Sequence, residues 1–479
     1  MDQFMLGIDI GTTAVKVILF DPTGLPVRAH ATPYGIERPR SGWAEQDPLA
    51  WWQGCQDGIR AVVDGIPAGA VRSTGVVSQV NTHVFVDEDL AVLGPAIIWQ
   101  DQRCAAVARE LDGRLSAADK LRIWGGPVVL DASFAGARAV WFARTEPELW
   151  ARTRWVLSPK DFVLAKLTGQ VATDMMSGTR ISSPDGYLPE AVALADGLAE
   201  RLPPIRTPES VLTSTSDLGT VVVGTMDAYG AVFGSRTTEP GRGMISCGTS
   251  LVVAGASRQS LPSAGIVTFP PRNGLSVHAG PTQAAGDAVR WWSRVSGLTI
   301  EDVFASAREG RPGPIFTPYL AGERAPLWDP DVRASFLGLT SGTTQADLSR
   351  AVLEGVALSA RHVLEAVEQA CGTALSTVSL SGGGARDDLW SQLYADALGR
   401  PIERLLVPDS AALGAALLGA VGDGTYPDIE TAAATTVQVD RTFLPAASPD
   451  LRYDVYRMSY GALREIHERP AEDTYLQRS

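Results

Sequence analysis

The stretch Ile8-Asp9-Ile10-Gly11-Thr12-Thr13 has a similar copy about half a chain further on, Ile245-Ser246-Cys247-Gly248-Thr249-Ser250. Each copy follows an apolar run, turns on a glycine with two hydroxyl residues after it, and leads into another apolar run. This order predicts a strand–turn–strand hairpin whose backbone N–H groups and hydroxyls can surround a phosphate. We expect glycine at each turn because a Cβ would block either a positive φ or the close approach of a ligand. Two copies predict two related halves, each of which lends one phosphate-binding hairpin to a shared cleft.

Length and composition indicate a globular protein with two large domains. The chain has 479 residues, of which 45% are hydrophobic and 20% are charged. This length exceeds what one hydrophobic core usually serves. The net charge of −13 argues against a nucleic-acid surface, which needs a basic stripe. An anionic ligand would therefore be held locally, by backbone dipoles and a metal ion.

Cysteine usage and apolar patterning favour a cytoplasmic protein. The four cysteines contain no Cys-x-x-Cys pair, which argues against a zinc site or a disulfide framework and favours a reducing compartment. The beginning, MDQFMLGIDI, lacks the basic region of a signal peptide. No apolar run approaches the roughly 18–20 residues of a membrane span. We therefore expect no membrane partner.

Periodicity and turn signals predict an α/β order in both halves. In the first half we expect strands at 4–10, 14–20, 26–34, 74–80 and 83–86, and a helix from Pro48 to about Asp64. In the second half we expect a long helix between the N-cap Thr344 and Gly372, a strand at 377–380 and a helix from about Asp388 to Leu398.

Asp227 is the candidate general base. It follows an apolar strand in a run of small residues, so a substrate could approach its carboxylate. A hydroxyl that accepts a phosphoryl group needs a carboxylate within hydrogen-bond reach. The alternative is an aspartate that caps the helix beginning at Ala228. Asp9 is expected to face Mg²⁺ through water, since Mg²⁺ keeps several waters and uses one or two carboxylates. Asp227 is a second candidate for contact with the metal.

Two further segments carry candidate binding residues. Gly382, Gly383 and Gly384 lie between a strand and a helix, where they either support the adenosine or α-phosphate end of a nucleotide or form a tight connection. The cluster Trp99 to Arg103 suits a polyhydroxylated ligand, although Asp101 and Arg103 could equally form a structural ion pair. His83 lies in an apolar strand and is expected to pack. A P-loop, a Gly-x-Ser-x-Gly motif and metal-ligand spacing of histidines are all missing from the sequence.

Together these residues resemble the FGGY carbohydrate kinases, members of the actin-like ATPase superfamily. The likeness covers nearly the whole chain, with motifs in the family's order. Arg138 stands where lysine is usual. The matching segments are Gly7–Thr13, Gly42–Pro48, Trp51–Trp52, Phe134–Trp141, Tyr319–Pro326, Ala334–Leu339, Asp347–Glu354 and Gly382–Arg386.

The resemblance implies an α/β fold of two ribonuclease-H-like domains, 1–240 and 241–479, around a central cleft. It also implies transfer of the γ-phosphoryl of ATP to a sugar or polyol hydroxyl with Mg²⁺, Asp227 as the base and Asp9 facing the metal. The implied ATP and phosphate site comprises Gly11, Thr12, Thr13, Gly248, Thr249, Ser250, Gly382, Gly383, Gly384 and Asp387. The implied substrate site comprises Gln79, Val80, Asn81, Trp99, Asp101, Arg103 and Asp227.

The acceptor sugar is where the sequence departs from the family. Gln79-Val80-Asn81 stands where xylulokinases usually show Gln-Met-His, and Ala228 stands where they have asparagine and glycerol kinases glutamine. Ser133 lies where glycerol kinases place a tyrosine. We expect a pentulose, D-xylulose first, with a ribulose-, erythritol- or gluconate-type acceptor as the alternative. Two alternative hypotheses for the function are a non-kinase actin-like ATPase or regulator and a kinase-like protein that has lost its sugar site. A homodimer is a candidate assembly.

Overall fold

The computed structural model describes residues 3–269, 271–272, 274–446 and 450–467. The chain forms two compact units. The first comprises Met1–Gly234 with Ser410–Thr436, and the second comprises Ser235–Asp409 with Val437–Ser479. The predicted division at 240 lies close to Gly234, where the chain first passes from the first unit to the second. The prediction assigned Ser410–Thr436 to the second domain, whereas these residues belong to the first unit.

Short strands and helices alternate along both units. The strands are β1 Phe4–Ile10, β2 Ala14–Phe20, β3 Pro26–Pro33, β4 Glu45–Gln46, β5 Val71–Ser78, β6 Val84–Val86, β7 Ala96–Ile97, β8 Trp155–Leu157, β9 Thr173–Asp174, β10 Ser182–Ser183, β11 Gly186–Tyr187, β12 Ile205–Arg206, β13 Val211–Thr215, β14 Gly219–Val222, β15 Thr225–Met226, β16 Arg242–Cys247, β17 Leu251–Ser257, β18 Val267–Thr268, β19 Ser276–Pro281, β20 Ile315–Thr317, β21 Ser335–Leu337, β22 Thr377–Ser381, β23 Ile402–Leu405 and β24 Val439–Phe443.

The helices are α1 Pro48–Val63, α2 Ala105–Asp112, α3 Ala117–Trp124, α4 Ala135–Thr145, α5 Pro147–Arg152, α6 Pro159–Thr168, α7 Pro189–Val192, α8 Asp227–Gly234, α9 Gly286–Ser296, α10 Ile300–Glu309, α11 Gln345–Cys371, α12 Asp388–Leu398, α13 Ser410–Gly422, α14 Ile429–Thr436 and α15 Asp450–His467. Within the described ranges, none of these helices has the length and apolarity that a membrane crossing requires.

Each unit contains its own seven-stranded sheet, and the two sheets share a strand arrangement. In the first unit the strand order is β13-β14-β5-β1-β2-β3, with β15 also paired to β5. Strands β1, β2 and β3 are antiparallel neighbours, whereas β5 runs parallel to β1. In the second unit the order is β18-β19-β17-β16-β22-β23-β24, with β16, β17 and β19 antiparallel and β22 parallel to β16. Three antiparallel strands followed by parallel ones thus occur twice, which confirms the predicted α/β fold of two related halves.

The capping residues of α1 and α11 lie where the sequence predicts them. Asp47 caps α1 by accepting the Leu49 N–H at 2.9 Å. The capping box between Thr344 and Asp347 begins α11, and Gly372 ends it in the left-handed conformation. Each cap satisfies backbone groups that a helix end leaves without partners.

Helix α13 returns to the first unit because glycines let it approach the sheet closely. A Cβ on Gly7 of β1 would lie 2.0 Å from Ala412 O, and one on Gly75 of β5 would lie 1.8 Å from Ala415 O. The helix sequence SAALGAALLGAVG carries no charge, and most of its residues are buried. A helix that is apolar on all sides must be covered on all sides. Its place on the first sheet therefore follows from complementary small residues far away in the sequence.

Candidate active site

The two glycine hairpins form as predicted, but a positive φ is not the reason for their glycines. Gly11 N donates to Ala14 O at 3.0 Å, and Gly248 N donates to Ser250 O at 2.9 Å. Neither glycine has a positive φ, so that part of the expectation is wrong. A Cβ on Gly248 would lie 3.7 Å from Ser250 O, an ordinary contact. The protein itself therefore does not exclude a side chain at Gly248, and close approach of a ligand is the one of the two predicted reasons that stays a prediction there.

A closed ring of hydrogen bonds joins Thr12 of the first hairpin to Gln79 and Trp99 of the predicted substrate site. Gln46 Nε2 donates to Thr12 O at 2.6 Å, and Gln79 Nε2 donates to Gln46 Oε1 at 2.7 Å. Thr82 Oγ1 donates to Gln79 Oε1 at 3.3 Å and accepts the Trp99 N–H at 3.2 Å. Trp99 Nε1 then donates to Thr12 Oγ1 at 3.1 Å. Gln79 is buried and serves this ring, while Trp99 is half-buried.

Asp227 and Asp9 influence each other electrostatically within the first unit. Asp227 begins α8 directly after β15, and its Oδ1 accepts the Ala228 N–H at 2.8 Å. That bond reaches only the next residue, whereas a capping aspartate serves the second or third N–H beyond it. Burial first, and then the negative charge of Asp9, raise the pKa of Asp227 to about 7. A carboxyl with this pKa can take up and release a proton near neutral pH.

Tyr34 belongs to the same neighbourhood, although no sequence signal marked it. Its hydroxyl donates to Gly11 O, and its N–H donates to Thr13 O at 3.1 Å. Burial, followed by the charge of Asp9, raises the pKa of Tyr34, with a smaller contribution from Asp227. Tyr34 is therefore neutral and holds the first hairpin from both sides of the turn.

Asp101 and Arg103 form a buried structural pair, the second of the two alternatives. Arg103 Nη2 lies 2.7 Å from Asp101 Oδ2, and the two side chains are 3% and 0% exposed. Asp101 Oδ2 also accepts the Ala44 N–H at 2.6 Å. Arg103 Nη1 lies 2.7 Å from Glu45 Oε1, and its guanidinium lies 3.6 Å from the centre of the Trp43 ring. These contacts use the polar atoms of both residues, so the geometry favours support of the site over contact with a sugar.

Asn81, a residue of the predicted substrate site, has a left-handed backbone conformation with a φ of 53°. Its carbonyl accepts from Arg138, and its side-chain Oδ1 accepts from Thr179 Oγ1. Asn81 and the preceding Val80 are half-buried, as is Ala228 beside Asp227. Arg138 lies inside a family motif, but Thr179 gave no sequence signal. His83 packs as expected, with its Nδ1 2.9 Å from Arg138 Nη1.

In the second unit, the hairpin at Gly248–Ser250 abuts the start of α9. The N–H groups of Ala285 and Asp287 each donate to Thr249 O at 3.0 Å, and Gly286 N donates to Gly248 O at 3.0 Å. The hairpin is thereby fixed to a helix N-terminus, where backbone dipoles favour negative charge.

The glycine triplet divides into packing and exposed positions. A Cβ on Gly382 would lie 2.5 Å from Cys247 O, and one on Gly384 would lie 2.4 Å from Cys247 Sγ. Gly383 is exposed, and a Cβ there would meet nothing within 4 Å. Asp387 caps α12 by accepting the N–H groups of Leu389 and Trp390 at 2.9 and 3.2 Å. The tight connection thus accounts for Gly382 and Gly384, whereas packing within the protein does not require glycine at Gly383, where a nucleotide contact stays a prediction.

The donor set suits a magnesium ion better than zinc. In the part of the chain that the structure describes, no group of three or more His, Cys, Asp or Glu residues is arranged to hold a metal. Mg²⁺ needs only one or two carboxylates besides waters and substrate phosphates. Asp9 and Asp227, whose like charges oppose one another, are the residues that would hold it.

Comparison with known proteins gives one family over both units. Residues 4–225 match the N-terminal domain of the FGGY family of carbohydrate kinases, and residues 243–422 match its C-terminal domain. A xylulose kinase of Staphylococcus epidermidis is 28% identical over 98% of both chains. A glycerol kinase of Bordetella parapertussis is 31% identical over 94% of both chains.

A solved structure agrees with these matches. The crystal structure of a "xyloylose kinase" from Brucella ovis has a TM-score of 0.86 and 30% identity, and it covers 97% of this chain and 100% of that chain. With two domain matches, relatives aligned over nearly their whole length and this structural neighbour, the chain belongs to the FGGY family of carbohydrate kinases.

Proposed function

We propose that this kinase transfers the γ-phosphoryl of ATP to a hydroxyl of a pentulose, with D-xylulose as the first candidate. The observation that carries the proposal is the carboxyl of Asp227, which begins α8 beside Asp9 and has a pKa raised to about 7. Xylulose kinases among the relatives, at 28% and 29% identity over nearly the whole chain, support the choice of sugar.

In the proposed reaction Asp227 accepts the proton of the acceptor hydroxyl. The hydroxyl oxygen then bonds to the γ-phosphorus, the bond from that phosphorus to the bridging oxygen of ATP breaks, and ADP leaves with the electron pair. In the first unit the N–H groups of Thr12 and Thr13 would hold phosphate oxygens, and in the second unit those of Thr249 and Ser250 would do so, because Gly11 N and Gly248 N donate within their own hairpins. Bound Mg²⁺ would neutralise charge on the phosphates, with Asp9 as its protein contact through water.

The acceptor is the open part of the proposal. Gluconate-, ribulose- and erythritol-type substrates stay as alternatives because Val80, Asn81 and Ala228 differ from the residues usual in xylulokinases. Family membership favours a kinase over a non-kinase actin-like ATPase. We also propose a cytoplasmic location, since Cys55, Cys104, Cys247 and Cys371 are all free thiols. Homodimer formation stays a prediction.

A substrate panel tests the function directly. Formation of ADP would be followed in a coupled assay with D-xylulose, D-ribulose, L-ribulose, erythritol, glycerol and gluconate at saturating MgATP. We expect the highest kcat/KM with a pentulose. ADP formation that no acceptor stimulates would contradict the kinase proposal, and a clear preference for glycerol or gluconate would contradict the choice of sugar.

The pH dependence of kcat/KM is expected to follow the ionisation of the Asp227 carboxyl. Because the base must be ionised, kcat/KM for the acceptor is expected to fall as pH decreases through about 7, the pKa of Asp227. The neighbouring charge of Asp9 contributes to that raised pKa. Asp9→Asn should therefore move the acid limb to lower pH, whatever it does to the absolute rate. An acid limb that stays in place in Asp9→Asn would show that Asp9 does not set this pKa.

A further inference from the structure

The backbone and the side chain of Asn81 are both held by contacts from distant parts of the chain. Its φ of 53° lies in the left-handed region, which is uncommon for residues other than glycine. Such a conformation persists only where surrounding contacts determine it. The contacts that do so come from Arg138 and Thr179, which lie far from Asn81 in sequence.

Arg138 fixes the backbone of Asn81. Its side chain is 0% exposed and donates to the carbonyl of Asn81, to Ile97 O at 2.7 Å and to Ile98 O at 2.6 Å. All of these acceptors are neutral carbonyls, so burial lowers the pKa of Arg138 to about 10. The planar guanidinium spans several carbonyls at once, which a single lysine ammonium cannot do with the same geometry. Asn81 is thereby tied to the strand end that leads to Trp99.

Thr179 fixes the side chain of Asn81. Thr179 Oγ1 donates to Asn81 Oδ1, so the amide oxygen is engaged inside the protein. The group that the half-buried Asn81 retains for a ligand is therefore Nδ2, which carries two hydrogens and can only donate.

We propose that Thr179 is a positioning residue for acceptor specificity, and that Asn81 Nδ2 recognises a lone-pair-bearing oxygen of the acceptor sugar. The inference rests on the proposed function, since it assumes that the sugar lies against Asn81. It deepens that function by stating what the sugar must offer at this position, a carbonyl or hydroxyl oxygen that accepts a hydrogen bond. A site built on polar partners discriminates strongly when one partner is lost.

The test uses Thr179→Val in the full-length protein with the best acceptor from the wild-type panel. Loss of the hydroxyl frees the Asn81 amide to rotate, so the KM for the acceptor should rise about tenfold, while the KM for ATP stays within twofold. Thr179→Ser restores the hydroxyl and should restore the acceptor KM. Thr145→Val is the matched control, because Thr145 Oγ1 donates to Trp141 O at 2.9 Å at an exposed helix end.

Two variants at Asn81 keep the test decisive if Thr179→Val folds poorly. Asn81→Gly removes the amide and adopts a positive φ without strain, so it should fold at least as well as the wild type and still lose acceptor affinity. Asn81→Asp replaces the donor with an acceptor and should lower kcat/KM for the sugar about 10- to 100-fold. An unchanged acceptor KM in Thr179→Val or Asn81→Gly would overturn the inference, as would equal increases in the KM for ATP. A wild type inactive with every acceptor would instead contradict the proposed function.

Discussion

Asp227→Asn is expected to lower kcat about 10²- to 10⁴-fold, the range that a positioned general base contributes. The amide cannot take the proton of the acceptor hydroxyl, but it has nearly the same shape as the carboxyl. ATP binding should therefore persist, with a dissociation constant within a few-fold of the wild type. Single-turnover measurement of ADP formation, with nucleotide binding measured separately, checks both parts.

The stability of this variant separates a catalytic role from a structural one. The pKa of Asp227 in the folded protein, about 7, lies above its ordinary value of 3.8. Ionisation of Asp227 therefore opposes folding, and this cost develops as pH rises from about 4 to 7. Removing the charge should leave Tm at pH 8 unchanged or higher. Asp217→Asn, at an exposed aspartate, is the matched control and should keep full activity. Wild-type rates in Asp227→Asn would remove Asp227 from the role of base.

Lys160→Met is expected to destabilise the first unit by about 3–5 kcal/mol, the usual cost of leaving buried charges without their partner. Lys160 is 0% exposed, and its Nζ lies 2.6 Å from Asp161 Oδ1 and 3.1 Å from Asp174 Oδ1. The same Asp174 accepts from Thr225 Oγ1 at 2.7 Å, and Thr225 begins the short strand before Asp227. The substitution should therefore also lower activity, by loosening the strand that positions the base.

Chemical denaturation followed by fluorescence, with thermal unfolding beside it, measures this effect. The double variant Lys160→Met with Asp174→Asn should be less destabilised than Lys160→Met alone, because one of the uncompensated carboxylates is gone. Lys166→Met on the same helix is the control. Its ammonium lies 5.8 Å from the Phe162 ring, and the change should cost less than about 1 kcal/mol. A Lys160→Met variant as stable as this control would contradict the assigned role of the buried ion pairs.

The local features of the fold were predictable from the sequence because they depend on neighbouring residues. The strands β1, β2 and β3, the capped helices α1 and α11, and the two glycine hairpins follow from apolar periodicity, cap residues and turn residues. The repeat of the hairpin also indicated two related sheets.

Features that depend on distant contacts could not be predicted. The return of α13 to the first unit depends on Gly7 and Gly75, which carry no local signal for a helix that begins at Ser410. The ion pair of Asp101 and Arg103 had two open alternatives until its surroundings, Ala44 and Glu45 among them, were known. Of the two alternative reasons for glycine at positions 11 and 248, the structure rules out a positive φ.

The sequence by itself thus determined the family, the two glycine hairpins and the identity of the candidate base, because short motifs encode local backbone shape and chemistry. Only the tertiary structure decided which polar groups are engaged within the protein and which are left for ligands. It placed Gln79, Asp101 and Asp387 in internal hydrogen bonds, raised the pKa of Asp227 through burial and the charge of Asp9, and engaged the amide oxygen of Asn81 with Thr179. Those outcomes depend on burial and on partners distant in sequence.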